Sequence, residues 1–409
     1  MSRRENLIVG LDIGTTKICA IVAERRSDTV EVIGVGVAPC EGLRKGVVVN
    51  IEATVSSIRK AIEEAESMAC CEIDGAYVGI AGGHVKAINC HGAIPLKSGE
   101  VRPIDVQRVI EAATTVAIPI DREVIHTIPQ EFVIDGEEGI RDPVGMNGGV
   151  LEAWVHIVTG AVSAAQNLVK CANKAGLTVH DIVLQPLASA EAVLSKDEKE
   201  LGVALIDIGG GTSDLAIFAD GAVKHSSVLQ LAGNQITGDV ALGLRTPVSE
   251  AERLKLNYGC ALASMVDDDE VIEVPSLGGR RPRVISRHAL AEIIEMRVDE
   301  TLQLVDKEIK KAGLEDAIAS GIVLTGGSAN LVGLPELAER IFDLPVRRGS
   351  PRDIGGLGEV VSSPKYATGV GLVLAGARNG HESKFRIRDE NIFSRVTMRM
   401  KEWFQEVFV

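Results

Sequence analysis

Apolar residues fall along this chain in two rhythms. Val203 to Ile206 is a continuous apolar run, as a strand buried on both faces requires, and Leu215 to Phe218 resumes as a second short strand. Ile51, Val55, Ile58, Ile62 and Ala65 recur instead at helical spacing with Glu and Arg between them, and Tyr77 to Ala81 returns as a strand. Ser163 to Ala175 predicts a helix, Val179 to Leu184 a strand running into a helix at Gln185, and Gly233 to Asp239 a helix opening. Ser249 to Lys255 predicts a further helix start capped by Ser249. Leu290 to Lys311 reads as a long helix, Gly321 to Gly333 as strand, glycine turn and helix, and Tyr366 to Ala377 as a small-residue helix able to pack closely at a hinge. The alternation predicts an α/β chain. Between His84 and Gly160 the rhythm breaks into short β-rich pieces punctuated by five prolines around a helix near Ile104 to Val116, which predicts an inserted small α+β domain. Such an insertion serves either as a stabilising flap or as a contact surface.

Between the strands ending at Ile206 and beginning at Leu215 lies a turn rich in chemistry. Gly209, Gly210 and Gly211 can take positive φ and leave no Cβ in the way, so successive backbone N–H groups can converge on an anion, with Thr212 and Ser213 adding hydroxyl donors. Asp207 faces the same space, and a carboxylate beside a phosphate nest repels the ligand unless a divalent cation stands between them. One such cluster is as readily an ordinary β-turn. A second copy decides the matter: Leu7 to Val22 repeats the plan of strand, Asp12-Ile-Gly14, hydroxyls Thr15 and Thr16, and strand. That spacing is too long for a solenoid and fits two similar lobes, each offering one cradle to a shared cleft. The loop Thr325-Gly326-Gly327-Ser328 resembles the cradles without the acid and suits a flat, uncharged base. The helix opening at Gly233 and Asn234 is expected to face phosphate, and Glu252 with Lys255, on one helical face, to reach ribose or base. An ordinary i,i+3 pair explains Glu252 and Lys255 equally well.

Composition narrows the partners. The 409 residues, 45% of them hydrophobic, are enough for two or more domains, and aromatics at 3% leave the cores to Val, Ile, Leu and Ala. A formal net charge of −14 argues against a nucleic-acid surface. The seven cysteines are scattered and form no Cys-x-x-Cys motif, so reduced, cytosolic thiols are expected. No apolar run is long enough to span a bilayer. Against this acidic background Arg280, Arg281, Arg283 and Arg287 form a local basic cluster, either solvated or able to receive an acidic peptide.

The tail departs from the rest. Five of the twelve aromatic residues fall in the final 25 positions. At 100° per residue, Ile392, Phe393, Val396, Met400, Trp403, Phe404, Val407 and Phe408 occupy one arc of about 160°, opposite Arg395, Arg399 and Lys401. That pattern predicts an amphipathic helix over 392–409 lying flat on anionic membrane lipid, tethered by a polar linker over 379–391.

The two Asp-Ile-Gly cradles, the Gln185-Pro-x-Ala connector, the Thr-Gly-Gly loop and the closing small-residue helix resemble the actin, heat-shock chaperone and sugar-kinase ATPase superfamily. Within it the order of pieces is most similar to the FtsA family of bacterial actin-like division proteins, with His126-Thr-Ile-Pro-Gln-Glu131 and Asp142-Pro-Val-Gly145 in the insertion, Tyr258-Gly-Cys-Ala261, and the tail. The resemblance implies a two-lobed actin-like ATPase fold of duplicated ribonuclease H-like lobes. The first lobe spans 1–200 and is interrupted by an insertion over 85–162; the second spans 201–378, with an upper subdomain over 234–312. It implies ATP and Mg²⁺ as cofactors, with Asp12 and Asp207 around the metal and Gly14, Thr15, Thr16, Lys17, Gly209, Gly210, Gly211 and Thr212 on phosphates. Asp214, Gly233, Asn234, Glu252, Lys255, Gly326, Gly327 and Ser328 complete the nucleotide site, and Gln185 stands where a catalytic water is positioned. Turnover is expected well below the ~10 s⁻¹ median for enzymes. The implied partners are the C-terminal tail of FtsZ on the arginine cluster, further copies of the chain, later division proteins at the insertion, and membrane lipid at the cytoplasmic side of the septum. The alternatives are a sugar-type kinase or a chaperone-type ATPase of the same superfamily. The first needs a substrate pocket with its own acid, the second a peptide-binding domain after the ATPase.

Overall fold

The apolar runs become strands wherever both faces are covered, and the periodic stretches become the helices that cover them. The computed structural model describes residues 6–26, 29–115 and 118–379. In the first lobe β1 (Leu7–Ile13), β2 (Lys17–Arg26) and β3 (Thr29–Pro39) form an antiparallel meander, followed by the two-residue strands β4 (Leu43–Arg44) and β5 (Val47–Val48). Helix α1 (Ile51–Ala69) is capped by Asn50, whose side chain accepts from the Ala53 amide at 3.1 Å, and buries Val55, Ile58, Ile62 and Ala65, four of the five residues of the helical pattern. It lies so close to β3 that a Cβ on Gly36 would fall 1.9 Å from the Ala61 carbonyl oxygen. β6 (Gly75–Ile80) then pairs parallel with β1.

The inserted segment folds around its own core. β7 (Lys86–Pro95), α2 (Pro103–Thr114), β8 (Arg122–Ile134), β9 (Glu137–Ile140) and β10 (Val150–Ala161) form a four-stranded antiparallel sheet, order β7-β10-β8-β9, under one helix. Val106, Val109 and Ile110 of α2 pack on Leu151, Val155 and Ile157 of β10. The chain returns to the first lobe through α3 (Val162–Ala175) and β11 (Thr178–Leu184), which closes a six-stranded sheet of order β11-β6-β1-β2-β3 with the late two-residue strand Gly355–Gly356 beside β3. Helices α4 (Gln185–Val193) and α5 (Lys196–Leu201) lead across to the second lobe.

The second lobe repeats the first. β12 (Val203–Ile208), β13 (Ser213–Ala219) and β14 (Ala222–Leu229) form another meander, and after α6 (Gly233–Leu244), α7 (Val248–Tyr258), the hairpin β15 (Val271–Val274) and β16 (Arg283–Ser286), and α8 (Arg287–Ala312), strand β17 (Ile322–Thr325) pairs parallel with β12 as β6 does with β1. α9 (Leu334–Phe342), β18 (Val346–Arg348), β19 (Gly355–Gly356) and α10 (Ala367–Asn379) complete the described chain. Ser249 is not a cap: α7 begins one residue earlier, with Pro247 at the cap position and no side-chain hydrogen bond there. Ser249 is thus the second residue of the helix, past the position from which a hydroxyl accepts from the first-turn amides. The expected membrane helix over 392–409, and all of its linker beyond Asn379, lie outside the described residues. Among the described residues no helix is long and apolar enough to cross a membrane.

Between the lobes, α10 crosses α4 at the distance that only small residues allow. A Cβ on Gly371 would stand 1.7 Å from the Ala188 carbonyl oxygen, and one on Gly10 of β1 would stand 2.5 Å from that of Gly369. Gly371→Ala is therefore expected to cost about 1–3 kcal/mol or more in urea denaturation through overpacking. Gly238→Ala, where a Cβ meets nothing within 4 Å, should be neutral or stabilise α6 by up to about 1 kcal/mol. Equal effects at the two positions would contradict the close crossing.

Candidate nucleotide cleft

The two cradles are built alike to the residue. In the first, Asp12 pairs with Cys19 across β1 and β2, and the Gly14 amide donates to the Lys17 carbonyl at 3.0 Å. In the second, Asp207 pairs with Asp214 across β12 and β13, and the Gly209 amide donates to the Thr212 carbonyl at 2.9 Å. Their glycines do not use the positive φ open to them: none of Gly209, Gly210 and Gly211 has it. Close approach is what excludes a side chain. A Cβ on Gly210 would lie 2.3 Å from Thr16 Cγ2, and one on Gly211 would lie 2.5 Å from Thr15 Oγ1, so the turns of the two lobes face each other in contact.

Three buried carboxylates converge behind these turns. Asp12 accepts from Gln185 Nε2 at 3.0 Å and lies 3.4 Å from Lys17 Nζ; burial raises its pKa against the opposing pull of Lys17. Asp207 Oδ2 accepts from Ser189 Oγ at 2.6 Å and Thr368 Oγ1 at 3.2 Å. Burial and the nearby charge of Asp12 push Asp207 up to about 6 against those two hydrogen bonds. Asp214 accepts from Thr212 Oγ1 at 3.0 Å, its Oδ1 is buried without a partner, and burial followed by the charge of Asp207 raises it well above the usual carboxylate range. This residue set fits a cation: buried carboxylates need a counter-charge, and Lys17 alone does not balance three. Among the described residues no cluster of side chains forms an all-protein metal cage. Mg²⁺ needs no such cage, being usually held by one or two carboxylates together with substrate phosphates and water.

Asp12, Gly14, Thr15, Thr16, Lys17, Gln185, Asp207, Gly209 to Thr212, Asp214 and Gly327 all line one cleft. Other candidates stand behind it. Gly326, at φ 86°, is pressed against Asp207, where a Cβ would lie 2.3 Å from Oδ1. Ser328 Oγ donates to the Gly209 carbonyl at 3.0 Å, bracing the second cradle. The N-terminus of α6 does not present its first amides to the cleft, because those of Gly233 and Asn234 donate to the Gly209 and Gly210 carbonyls at 3.1 and 2.8 Å. Lys255 Nζ meets Glu252 at 2.7 Å, the i,i+3 pair, and also the Gly233 carbonyl at 3.2 Å.

Sequence reasoning missed Ser189 and Thr368, which hold Asp207. The first was within reach: Gln185 and Ser189 are an i,i+4 pair on one face of α4, so one helix sends a side chain to each cradle's acid. Lys365 and His84, which also line the cleft, carried no local signal.

The arginine cluster divides in the structure. Arg287 donates to the Tyr258 carbonyl at 2.9 Å and pairs with Glu270 at 2.6 Å, and Arg283 donates to the Leu244 carbonyl. Arg280 and Arg281 remain exposed in the β15–β16 connection.

Two lobes with matched hairpin cradles on one cleft, joined by crossing helices, define the actin-like ATPase fold. Solved structures share it: a chain of the PilM–PilN type IV pilus biogenesis complex is 17% identical with a TM-score of 0.66, covering 92% of this chain and 99% of that one. MreB5 of Spiroplasma citri bound to ADP is 16% identical with a TM-score of 0.54, covering 90% and 94%. At the level of family, the model described as "Cell division protein FtsA" matches residues 204–371, and the "SHS2 domain inserted in FTSA" matches residues 82–159. The cell division protein FtsA of Pseudomonas aeruginosa is 51% identical over 98% of both chains. Those of Escherichia coli K12 and Bacillus subtilis 168 are 42% and 41% identical over 98% and 94% of this chain and 96% and 88% of theirs. The chain belongs to the FtsA family of cell division proteins.

A carboxyl whose folded pKa lies above its unfolded value binds more protons folded than unfolded, so stability falls as pH rises between the two values. For Asp207 that window runs from its ordinary 3.8 to about 6. In EDTA and without nucleotide, Asp207→Asn is therefore expected to stabilise the protein at pH 7.5 by on the order of 3 kcal/mol, a gain that vanishes as pH falls to about 4. Thermal melts across that range check it; a destabilised Asn variant at pH 7.5 would contradict the buried, uncompensated charge.

Proposed function

We propose that this FtsA-family chain binds Mg-ATP between its lobes and ties the FtsZ ring to the cytoplasmic face of the inner membrane at the division septum. One observation supports the nucleotide reading above all: two equivalent cradles bring three buried carboxylates, the Lys17 ammonium and a set of turn amides and hydroxyls to a single cleft. Asp12 and Asp207 would hold Mg²⁺, with Asp214 behind them, and Lys17, Thr15, Thr16 and the turn Gly209 to Thr212 would bind phosphate. When bound, the metal neutralises phosphate charge. Gln185, whose Nε2 donates to Asp12, would orient water, and slow turnover is expected because a neutral amide can orient a water but cannot take its proton. MreB5 of Spiroplasma citri, which shares the fold, was solved bound to ADP, in keeping with this reading.

The tethering role rests on family membership and on the two ends of the chain's charge pattern. The tail over 392–409 would lie on anionic lipid. The exposed Arg280 and Arg281 would receive the acidic C-terminal tail of FtsZ, with Arg283 and Arg287 holding the hairpin that presents them. Self-assembly and recruitment of later division proteins through the inserted domain belong to the same reading.

Co-sedimentation with anionic vesicles separates the two attachments. The full chain is expected to pellet with vesicles and carry FtsZ down with it. Deleting residues 391–409 should leave both proteins in the supernatant, while Arg280→Glu with Arg281→Glu should leave the chain on the vesicles and release FtsZ. A truncated chain that still pellets would place membrane attachment elsewhere, and FtsZ retained by the double reversal would reduce the arginines to solvated surface.

A further inference from the structure

The run His126-Thr-Ile-Pro-Gln-Glu131 lies on β8 of the inserted sheet and has no part in the cleft itself. It touches the edge strands of both lobes. β11 is an edge of the first-lobe sheet, and its last amide, that of Leu184, donates to His126 Nε2 at 2.9 Å. The next residue is Gln185, which donates to Asp12. β14 is an edge of the second-lobe sheet, and its Val223 and Lys224 carbonyls accept from Gln130 Nε2 at 2.6 and 3.3 Å. Asn89 of β7 donates to the same Lys224 carbonyl at 2.9 Å, and buried His156 of β10 bridges Asn89 Oδ1 and Ser226 Oγ at 2.6 and 2.9 Å.

Gln130 reaches β14 because the ladder slips there. Val155 pairs with Pro129 and Trp154 with Glu131, so Gln130 is the extra residue of a bulge beside a proline that has no N–H to give. Sheet edges ordinarily face solvent or another chain. Here side chains of one inserted strand complete two edges belonging to different lobes.

We propose that β8 is a clasp coupling the nucleotide state of the cleft to the inserted domain, with His126 as a positioning residue for Gln185. The inference rests on the nucleotide reading above and adds its regulation. A rotation of one lobe against the other changes the separation of Leu184 from Val223 and Lys224, and a single hydrogen-bonded strand cannot follow both, so one grip loosens or the inserted sheet moves. By linkage, a partner that prefers one position of the inserted sheet changes nucleotide affinity by the same factor that nucleotide changes the partner's. His126 acts through its Nε2 lone pair. His126→Gln keeps an acceptor on the side chain, and His126→Leu has none.

Hydrogen exchange of the full chain with and without saturating Mg-ATP reads both ends of the clasp. In the wild type and His126→Gln, Mg-ATP is expected to slow exchange over residues 12–17 and 207–214 and to change it over 122–134. Gln130→Ala and His126→Leu are expected to lose the response over 122–134. The proposal is overturned if both variants keep the wild-type response there, or if the wild-type cradles respond and 122–134 does not. Wild-type cradles that ignore Mg-ATP would overturn the nucleotide reading instead, and the coupling with it.

Discussion

Negative charge buried without a matching positive charge is the constraint around which this structure is arranged. Asp12, Asp207 and Asp214 are taken out of water by the closing of two lobes, and each is raised by that burial. A fold tolerates such a cost where a ligand repays it, since anything that binds the folded state and neutralises the charge stabilises it by mass action. The second consequence is geometric. Carboxylates on different lobes converge only if the backbones carrying them come into contact, which is why Gly210 and Gly211 stand against Thr16 and Thr15, and why Gly371 and Gly10 let α10 settle between α4 and β1.

The same helices that bring the lobes together also orient the acids. α4 sends Gln185 to Asp12 and Ser189 to Asp207, and α10 sends Thr368 to Asp207. The cleft's chemistry and the joint between lobes are thus one set of contacts, so a change in lobe angle alters how the carboxylates are held. The inserted domain adds a second connection between the lobes, on the edge strands rather than at the joint.

What could be read from the sequence was local and repeated. The duplicated Asp-Ile-Gly turns carried the two-lobed α/β architecture, the cleft and most of its lining, because a strand, a turn and a strand are encoded within about fifteen residues. The break in rhythm after His84 carried the insertion. Pairings across long sequence separations were not legible: nothing in Ser189 or Thr368 marks them as partners of Asp207, and nothing in Arg287 reveals that Glu270 and the Tyr258 carbonyl already occupy it. The glycines were legible in part, since the absent Cβ was foreseen but what it makes room for was not. A glycine run signals freedom in φ, but the need here was set by threonines from the other lobe. Amides at the start of α6 looked available because only the folded chain brings the Gly209 and Gly210 carbonyls to them.

If these carboxylates serve a cation that accompanies phosphate, the sign of their effect on binding can be measured directly. Calorimetric titration of ATP into the wild type and Asp12→Asn, once with Mg²⁺ and once in EDTA, separates a cation partner from a structural group. If Asp12 faces a cation, the Asn variant binds ATP more weakly with Mg²⁺ and more tightly in EDTA, where the lost charge no longer repels phosphate. Equal weakening under both conditions would contradict the account and leave Asp12 as a residue that merely holds the hairpin in shape.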